Sequence, residues 1–348
     1  MDIAVFLGGT SAERDVSLAS GFRIIDALRS AGHQVTAVDP ATGVLPAGVE
    51  VALRAAGMRR EPPSLEELKR LASEKGGANG GIIDGLTSLH GVRDADVVFL
   101  GLHGGHGEDG TIQALLELAG LAYTGSGHLG SALAMDKDLS KTLFRAAGVE
   151  TAEWLMAPVT AEVVGPTLGW PVVVKPSKQG STVGLTVVRE PGALQAAIQE
   201  ALLYDDEVMV ERFIPGRELT VGVLGDQALP IGEIFPRHEI YDYECKYTAG
   251  MAREEFPAKL PAAVTERLQR QALLAFRALK LRGYARVDFR LTAGMESFCL
   301  EVNTLPGMTE LSLIPQGAAA AGISFGALCE RIVALALERS PRAEARGG

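Results

Sequence analysis

The order of strand-like and helix-like segments is the feature that most constrains the fold of this chain. Residues 3–9, IAVFLGG, are typical of a buried strand entering a glycine turn, and a helical pattern of apolar residues continues to about Ser30. Further strands are predicted at 34–39 and 95–105, and a helix at 110–120. Strands that alternate with helices are typical of a parallel sheet. The N-terminal part of the chain is therefore predicted to be a Rossmann-like α/β domain.

The pattern changes in the second half of the chain. Between 171 and 235, short apolar strands follow one another closely, which indicates antiparallel hairpins. A long helix is predicted at 263–280, strands at 283–291 and 297–304, and a terminal helix near 317–337. The chain thus combines an α/β part with an α+β part. The stretch 57–81 is predicted to contain a charged helix and a glycine-rich loop.

Length and composition exclude several classes of protein. The 348 residues suggest two or three domains, and 47% hydrophobic with 22% charged residues is ordinary for a globular protein with a large core. A net charge of -10 disfavours nucleic acid or an anionic membrane as partner, although it leaves room for a local basic pocket for phosphates. Neither a signal peptide nor an apolar stretch of about 18 residues, the length that spans a bilayer, is recognisable. Cys245, Cys299 and Cys329 form neither a zinc spacing nor a disulfide framework, which favours a reducing cytoplasm.

Charged and amide side chains occupy alternate positions in the last two predicted strands. Side chains alternate between the two faces of a strand. Arg286 and Asp288 therefore share one face of the first strand, and Glu301 and Asn303 share one face of the second strand. If residues 294–295 form a two-residue turn with glycine first, Asp288 lies opposite Glu301 and Arg286 opposite Asn303. Carboxylate and amide oxygens suit Mg²⁺, which takes further ligands from substrate phosphates. A salt-bridge ladder on the hairpin surface is the alternative interpretation.

The same alternation assigns the neighbouring residues of the last strand. Cys299 is predicted on the face of Glu301, and Leu300 and Val302 on the opposite face.

A glycine- and hydroxyl-rich loop joins two further strands in VVVKPSKQGSTVGLTVV, residues 172–188. The first strand ends at Lys175, and the loop contains Gly180, Ser181 and Thr182. Such residues let backbone N–H groups approach phosphate oxygens, and a lysine adds positive charge. The spacing is not that of a Walker A loop, and a flexible hairpin loop is the alternative interpretation.

Eight motifs follow one another in a recognisable order. They are GGTSAERDVSLASG (8–21), HGGHGEDG (103–110), MDK (135–137), VVKPSKQGSTVG (173–184), VERFIPGRELTV (210–221), YDYECKYT (241–248), RVDF (286–289) and EVNTLPGMTELSLIP (301–315). Together they resemble the D-alanine–D-alanine ligase family of the ATP-grasp superfamily over nearly the whole chain, least clearly at 43–95. The resemblance implies a Rossmann-like domain at 1–125, two ATP-grasp lobes with antiparallel sheets at 126–212 and 213–340, and a disordered tail at 341–348.

The resemblance implies a specific reaction. ATP phosphorylates the carboxylate of one D-alanine, the amine of a second D-alanine attacks the acyl phosphate, and a tetrahedral intermediate collapses to dipeptide and phosphate for peptidoglycan synthesis. Catalysis of this kind depends on positioning and charge stabilisation. The implied cofactors are ATP and Mg²⁺ or Mn²⁺, as two ions. The implied form is a cytoplasmic homodimer whose partners are two D-alanine molecules, with no nucleic acid and no membrane.

The resemblance also implies roles for individual residues. The metal ligands are Asp288, Glu301 and Asn303. The nucleotide contacts are Lys137, Lys175, Ser181, Glu211, Phe213, Ile214, Glu218, Lys246 and Leu300. The contacts to the first D-alanine are Glu13 and His103, and those to the second are Gly307, Ser312 and Leu313. Arg286 stabilises the oxyanion of the tetrahedral intermediate. Glu13, Ser181 and Tyr247 form a hydrogen-bonded bridge that closes the site.

Water must be kept from an acyl phosphate, so we expect residues 237–251 to form a mobile loop that brings Lys246 and Tyr247 over the phosphates.

Several alternatives stay open at this stage. Without the family, Glu13 could cap the helix that follows it, and His103 could be a turn residue between glycines. Another ATP-grasp ligase, such as a D-alanine–D-serine or D-alanine–D-lactate variant, is the nearest alternative function, although Tyr247 argues against the lactate form. A non-catalytic nucleotide-binding module would not need the metal face. A dinucleotide-binding oxidoreductase is disfavoured because GGTSAERD lacks the G-x-G-x-x-G pattern.

Overall fold

The computed structural model shows three sheets with helices packed around them. It describes residues 1–57, 59, 64, 66–67, 70, 85–180, 182–238, 241, 245–246, 248 and 250–338. Ser181, Tyr247 and the predicted tail at 341–348 lie outside these ranges, as do most of 57–81 and much of the predicted loop at 237–251.

The first sheet contains the N-terminal strands. Its strands are β1 (Asp2–Phe6), β2 (Gln34–Asp39), β3 (Gly43–Val44) and β4 (Val97–Leu100). The order is β3-β2-β1-β4, and β1 pairs in parallel with both β2 and β4, as the strand–helix alternation predicts. The associated helices are α1 (Arg14–Ser30), α2 (Ala47–Ala56), α3 (His90–Arg93) and α4 (Thr111–Leu118), with 3₁₀ turns at Leu86–Ser88 and Gly105–Gly107.

The crevice at the carboxyl ends of β1 and β4 is where ligands bind in open α/β sheets, because the connections leave in opposite directions there. Gly8 and Gly9 follow β1 with φ angles of 84° and 76°, and a Cβ atom at Gly8 would lie 2.8 Å from Asp39. Glycine therefore permits the tight turn that brings the start of α1 to this crevice. The loop after β4 brings His103 to the same crevice.

The second sheet is antiparallel throughout and follows two helices, α5 (His128–Met135) and α6 (Lys137–Ala146). Its strands are β5 (Trp154–Met156), β6 (Val172–Pro176), β7 (Thr186–Val188) and β8 (Val208–Arg212), in the order β5-β8-β6-β7. The helices α7 (Ala161–Leu168) and α8 (Leu194–Ala201), the latter preceded by a 3₁₀ turn at Pro191–Ala193, cover one face of this sheet.

The third sheet is also antiparallel. Its strands are β9 (Arg217–Leu224), β10 (Gln227–Ala228), β11 (Gly232–Pro236), β12 (Ala252–Glu255), β13 (Tyr284–Leu291) and β14 (Ser297–Asn303). The order is β12-β11-β9-β13-β14, and β10 pairs with β9. The long helix α9 (Ala262–Ala278) packs on its apolar face. The predicted antiparallel hairpins are thus confirmed.

The predicted pairing of β13 with β14 is confirmed at the charged end of the hairpin, where Asp288 lies opposite Glu301 and Arg286 opposite Asn303.

The predicted two-residue turn of this hairpin is wrong. The N–H group of Thr292 donates to the carbonyl of Glu296, and the N–H group of Met295 donates to the carbonyl of Thr292, both at 2.9 Å. The loop therefore has three residues, 293–295, and Met295 takes the left-handed conformation at a φ angle of 65°. A three-residue loop of this kind usually ends in a residue with this conformation.

A β-bulge at Leu300 corrects the register that the longer turn would otherwise shift. Phe289 pairs with Cys299, whereas Asp288 pairs with Glu301, so Leu300 is an extra residue in β14. A bulge breaks the alternation of faces at that point. The predicted position of Cys299 on the charged face is therefore wrong: its side chain is buried in the apolar core on the other face.

Two helices stand where one was predicted near 317–337. These are α10 (Leu313–Ala320) and α11 (Phe325–Leu337). Gly322, with a φ angle of 78°, follows the end of α10. The hydroxyl of Ser324 accepts a hydrogen bond from the N–H group of Ala327 and so caps the start of α11.

The two C-terminal helices contribute to the core of the first sheet. Leu328 and Ile332 are fully buried in the same apolar cluster as Ile3 and Val98. In the described part of the chain no single helix is long and apolar enough to cross a bilayer; only α10 and α11 taken together, bent by 103°, meet that test.

Candidate active site

A cleft lies between the second and third sheets. Its walls come from the start of α6, from β6 and β8 on one side and from β9, β13 and β14 on the other. Ten residues with a predicted nucleotide or metal contact line it: Lys137, Lys175, Glu211, Phe213, Ile214, Glu218, Lys246, Asp288, Leu300 and Glu301. The fold therefore brings together most of the residues to which the sequence assigned nucleotide and metal contacts.

Glu211 lines this cleft and is held between two lysines. One carboxylate oxygen accepts a hydrogen bond from Lys175 Nζ at 2.6 Å, and the other accepts one from Lys141 Nζ. Burial by itself would raise the pKa of Glu211, but the charges of Lys141 and Lys175 outweigh it and lower the pKa to about 2. The carboxylate is therefore ionised although its side chain is buried.

Lys141 was not recognised from the sequence, although its side chain is fully buried and also donates to Thr151 Oγ1 at 2.5 Å. Its spacing from Lys137 was an available signal, because residues four apart on a helix share one face. Both lysines lie in α6.

Asp288 is hydrogen-bonded through both carboxylate oxygens. Oδ1 accepts from the hydroxyl of Thr220 at 2.7 Å and from Arg286 Nε at 3.0 Å. Oδ2 accepts from Arg286 Nη2 at 2.8 Å and from Asn303 Nδ2 at 3.1 Å. These contacts hold Asp288, Arg286 and Asn303 together on one face of the hairpin.

Glu301 completes this charged face. Its Oε2 atom lies 3.3 Å from Lys137 Nζ. Burial opposes ionisation, but the charges of Lys137 and Lys246 outweigh it and lower the pKa of Glu301 to about 2.

The donor set of this face is two carboxylates and one amide, all hard oxygen ligands of the type that Mg²⁺ uses beside substrate phosphates. Among the residues that the structure describes, no group of three or more His, Cys, Asp or Glu side chains is arranged to hold a metal ion. An ion here would therefore depend on Asn303 and on oxygens supplied by a phosphate ligand or water.

Glu218 also lines the cleft and pairs with Arg290. Arg290 Nη1 donates to Glu218 Oε2, and Arg290 Nε donates to the carbonyl of Ile214, both at 3.1 Å. Burial raises the pKa of Glu218 although Arg290 opposes this. Arg290 thus connects two residues that the sequence assigned to the nucleoside, a role that sequence reasoning did not assign to it.

A second, smaller cleft adjoins the first and shares Gly180, Tyr241 and Lys246 with it. Besides the shared Gly180 and Lys246, seven residues named in the sequence analysis line it: Glu13, His103, Arg286, Asn303, Gly307, Ser312 and Leu313. These residues had been assigned to the metal and to the two D-alanine molecules.

Glu13 and His103 do not take the alternative roles that their surroundings in the sequence allowed. Glu13 precedes α1, but its side chain makes no capping hydrogen bond. The ring of His103 is buried, with Nδ1 2.8 Å from the carbonyl oxygen of Leu305 and Nε2 2.9 Å from Ser20 Oγ. Burial lowers the pKa of His103, and a carbonyl only accepts, so the neutral ring donates from Nδ1 and accepts the Ser20 hydroxyl proton at Nε2.

Glu108 is a residue of this cleft that the sequence analysis missed. Its Oε1 atom accepts the N–H group of Leu305, and its Oε2 atom that of Gly104, both at 3.1 Å. Burial and the nearby charge of Glu13 raise the pKa of Glu108 to about 7. It lies in the motif at 103–110, but the motif alone does not reveal that its carboxylate is turned inward.

Two family models match most of the chain. The model described as D-ala D-ala ligase N-terminus matches residues 2–126, and the model described as D-ala D-ala ligase C-terminus matches residues 137–334.

Individual known proteins that resemble this chain in sequence and in structure belong to the same family as the two models. The chain is 44% identical over 335 residues to the D-alanine--D-alanine ligase of Geobacter sulfurreducens, covering 95% of this chain and 92% of that protein. It is 42% identical to that of Gluconobacter oxydans, covering 97% and 100%. The solved D-alanine-D-alanine ligase of Coxiella burnetii superposes with a TM-score of 0.78 at 28% identity, over 99% of this chain and 95% of that one.

A second solved relative contains a nucleotide. The D-alanine--D-Alanine ligase of Bacillus anthracis, crystallised as a complex with ATP, superposes with a TM-score of 0.74 at 30% identity over 98% of each chain. The extent of these matches and the two adjoining clefts lead to one conclusion. The chain belongs to the D-alanine–D-alanine ligase family.

Proposed function

We propose that this enzyme joins two D-alanine molecules into D-alanyl-D-alanine at the expense of ATP. The observation that carries the proposal is the junction of the two clefts. Asp288 and Arg286 lie on the same face of β13, and Asp288 lines the larger cleft while Arg286 lines the smaller one. A phosphate bound beside Asp288 and an amino-acid carboxylate bound beside Arg286 would therefore lie next to each other, as phosphoryl transfer between them requires.

ATP occupies the larger cleft in this proposal. The adenine lies among Glu211, Phe213, Ile214 and Leu300, and the ribose hydroxyls bond to Glu218. Lys137, Lys175 and Lys246 contact the phosphates, with Ser181 from the loop between β6 and β7. The Bacillus anthracis relative solved as a complex with ATP supports the use of ATP.

Asp288, Glu301 and Asn303 would hold Mg²⁺ or Mn²⁺, as two ions. When bound, the metal neutralises charge on the transferred phosphate. The chain's own contribution is to keep Asp288 fixed through Thr220 and Arg286 and to keep Glu301 ionised beside Lys137.

The smaller cleft holds the two amino acids. The Glu13 carboxylate binds the ammonium group of the first D-alanine, and His103 lies near this substrate. Gly307, Ser312 and Leu313 contact the second D-alanine. Arg286 presents a guanidinium to the oxygen that becomes negative when the second amine attacks, which is where fixed positive charge lowers the barrier most.

Closure of the site completes the proposal. Glu13, Ser181 and Tyr247 form a bridge, and the segment 237–251 covers the acyl phosphate so that water does not hydrolyse it. The domain boundaries at 125 and 212, the homodimer, the cytoplasmic location and the use of the dipeptide in peptidoglycan synthesis are parts of the same proposal.

The test is phosphate release from ATP and Mg²⁺ with and without D-alanine, with the product identified by mass. We expect release that depends on D-alanine, formation of D-alanyl-D-alanine, and loss of both in an Asp288→Asn variant that still folds. Release with D-alanine and D-serine together, but not with D-alanine alone, would replace the substrate while keeping the mechanism. No release with any amino acid, despite ATP binding, would contradict the proposal.

A further inference from the structure

We propose that Arg23 positions the segment from Leu305 to Ser312, which binds the second D-alanine. Arg23 thereby sets the affinity and selectivity for the acceptor amino acid. The inference rests on the proposed function, in which Gly307 and Ser312 contact that substrate. Arg23 lies in α1 and therefore belongs to the N-terminal sequence, two residues beyond the motif at 8–21.

The guanidinium of Arg23 binds two consecutive carbonyl groups of this segment. Nη1 donates to the carbonyl oxygen of Met308 at 2.9 Å and to that of Thr309 at 2.8 Å. The Thr309 carbonyl also accepts the N–H group of Ser312 at 3.2 Å. One oxygen atom therefore joins Arg23 to Ser312, and hydrogen bonds from a charged donor are stronger than neutral ones.

The orientation of Arg23 is fixed from a second side. Its Cζ atom lies 3.7 Å from the centre of the Phe325 ring, at the start of α11. A planar guanidinium that stacks on a ring and donates in its own plane has little freedom to turn. Arg23 thus connects α1, α11 and the segment that precedes α10.

Other contacts hold the earlier part of the segment but do not replace Arg23. Ser20 Oγ accepts the N–H group of Met308 at 3.1 Å, and His103 contacts the carbonyl of Leu305 at 2.8 Å. Among the residues that the structure describes, the remaining hydrogen bonds of Thr309 are all with Ser312, within the segment itself. The position of the part from Thr309 to Ser312 relative to α1 therefore depends on Arg23.

The pocket for the acceptor depends on this position because Gly307, Leu311 and Ser312 line the smaller cleft, whereas Arg23 does not. Without Arg23 the segment would be free to move away from α1. The second D-alanine would then bind more weakly, and a larger acceptor such as D-serine would be excluded less strongly. The first D-alanine and ATP bind to other residues and should be affected little.

The experiment compares Arg23→Met with the unaltered enzyme in two measurements. The first fits the rate of phosphate release against D-alanine concentration with separate constants for the first and second D-alanine. We expect the second constant to rise about tenfold, and the first constant and the KM for ATP to change less than about twofold. The second measures the ratio of D-Ala-D-Ala to D-Ala-D-Ser formed in competition, which we expect to fall.

Matched variants separate positioning from general destabilisation. Arg29→Met removes another arginine of α1, one that pairs with Glu50, and should leave both measurements unchanged. Arg23→Lys keeps the positive charge but not the planar guanidinium that stacks on Phe325. Its second D-alanine constant and its product ratio should lie between those of Arg23→Met and the unaltered enzyme. The product ratio does not depend on how much enzyme is folded. Phe325→Leu, which removes the ring beside the guanidinium, replaces Arg23→Met if that variant does not fold.

An unchanged second constant with an unchanged product ratio would overturn the inference. A lower kcat with all constants and the ratio unchanged would also overturn it, because that is the result of a purely structural role. Failure of the proposed function is a different result: the unaltered enzyme would then show no D-alanine-dependent phosphate release.

Discussion

Two partly or fully buried carboxylates of this enzyme differ in protonation because their neighbours differ in charge. Glu211 contacts two lysines, which lower its pKa to about 2. Glu108 accepts two backbone N–H groups but lies near the negative charge of Glu13, and its pKa is raised to about 7. A lysine contributes a full charge and a backbone amide only a dipole, so only Glu211 recovers the free energy lost on burial.

The raised pKa of Glu108 predicts a pH-dependent stability. The folded protein holds this proton up to a pH of about 7, whereas the unfolded chain releases it near the ordinary value of 4.5. The favourable contribution is therefore complete below about pH 4.5 and is lost as the pH rises through 7. The free energy of unfolding of Glu108→Gln minus that of the unaltered enzyme should therefore rise by up to about 3 kcal/mol from pH 5 to pH 8.

Urea unfolding of both proteins at the two pH values measures this difference. Glu190→Gln, at an exposed position, is the control and should show no such trend. A difference between Glu108→Gln and the unaltered enzyme that does not vary with pH would contradict the assignment.

At the level of single residues, the sequence was informative where a motif names the chemistry and silent where burial decides it. Lys175 and Glu211 were assigned to the nucleotide from their motifs, and they do lie in one cleft. Lys141 was missed because a lysine in a helix is usually exposed, and only the fold shows that it faces Glu211. Arg23 was missed because it contacts a segment almost 300 residues away in the chain.

At the level of elements, the β13–β14 hairpin shows how two deviations from regular geometry cancel. The turn is one residue longer than predicted, and the bulge at Leu300 adds one residue to β14, so Asp288 still lies opposite Glu301. The prediction was correct at the charged end although its premise about the turn was wrong. Alternation by itself does not reveal a bulge, and for that reason Cys299 was assigned to the wrong face.

The bulge predicts different effects for two neighbouring apolar residues. Leu300 lines the larger cleft, whereas Val302 is buried in the core beneath the third sheet. Leu300→Ala should weaken ATP binding severalfold, by about 1 kcal/mol of lost apolar contact, with little effect on stability. Val302→Ala should lower the free energy of unfolding by about 1–2 kcal/mol and leave ATP binding unchanged.

Calorimetric titration with ATP and urea unfolding of both variants provide the measurements. Equal effects of the two substitutions on ATP binding would show that Leu300 and Val302 share a face, as simple alternation predicted.

At the level of the whole molecule, the beginning and the end of the described chain share one apolar core. Helix α11 packs with the first sheet, so Leu328 and Ile332 lie in the same cluster as Ile3 and Val98. The sequence predicted the parallel sheet and a terminal helix, but amphipathic periodicity does not say which sheet a helix covers. The packing partner depends on long-range contacts that a local pattern does not contain.

This shared core predicts that a change in α11 destabilises the first sheet. Ile332→Ala should lower the free energy of unfolding by about 2–5 kcal/mol, because the side chain is fully buried. Amide hydrogen exchange in β1 should become faster by the corresponding factor. Arg331→Ala, at an exposed position of the same helix, is the control. Faster exchange confined to α11 would show that the helix and the sheet unfold separately.

The residues common to the two clefts have a consequence for inhibitor chemistry. Gly180, Tyr241 and Lys246 line both clefts, so no wall of protein separates the nucleotide pocket from the amino-acid pocket at that point. Two weak fragments, one bound in each pocket, could therefore be connected by a short linker past Gly180. The second fragment would then bind at an effective concentration in the millimolar range, which can raise the combined affinity by about 10²–10⁴ over that of either fragment alone.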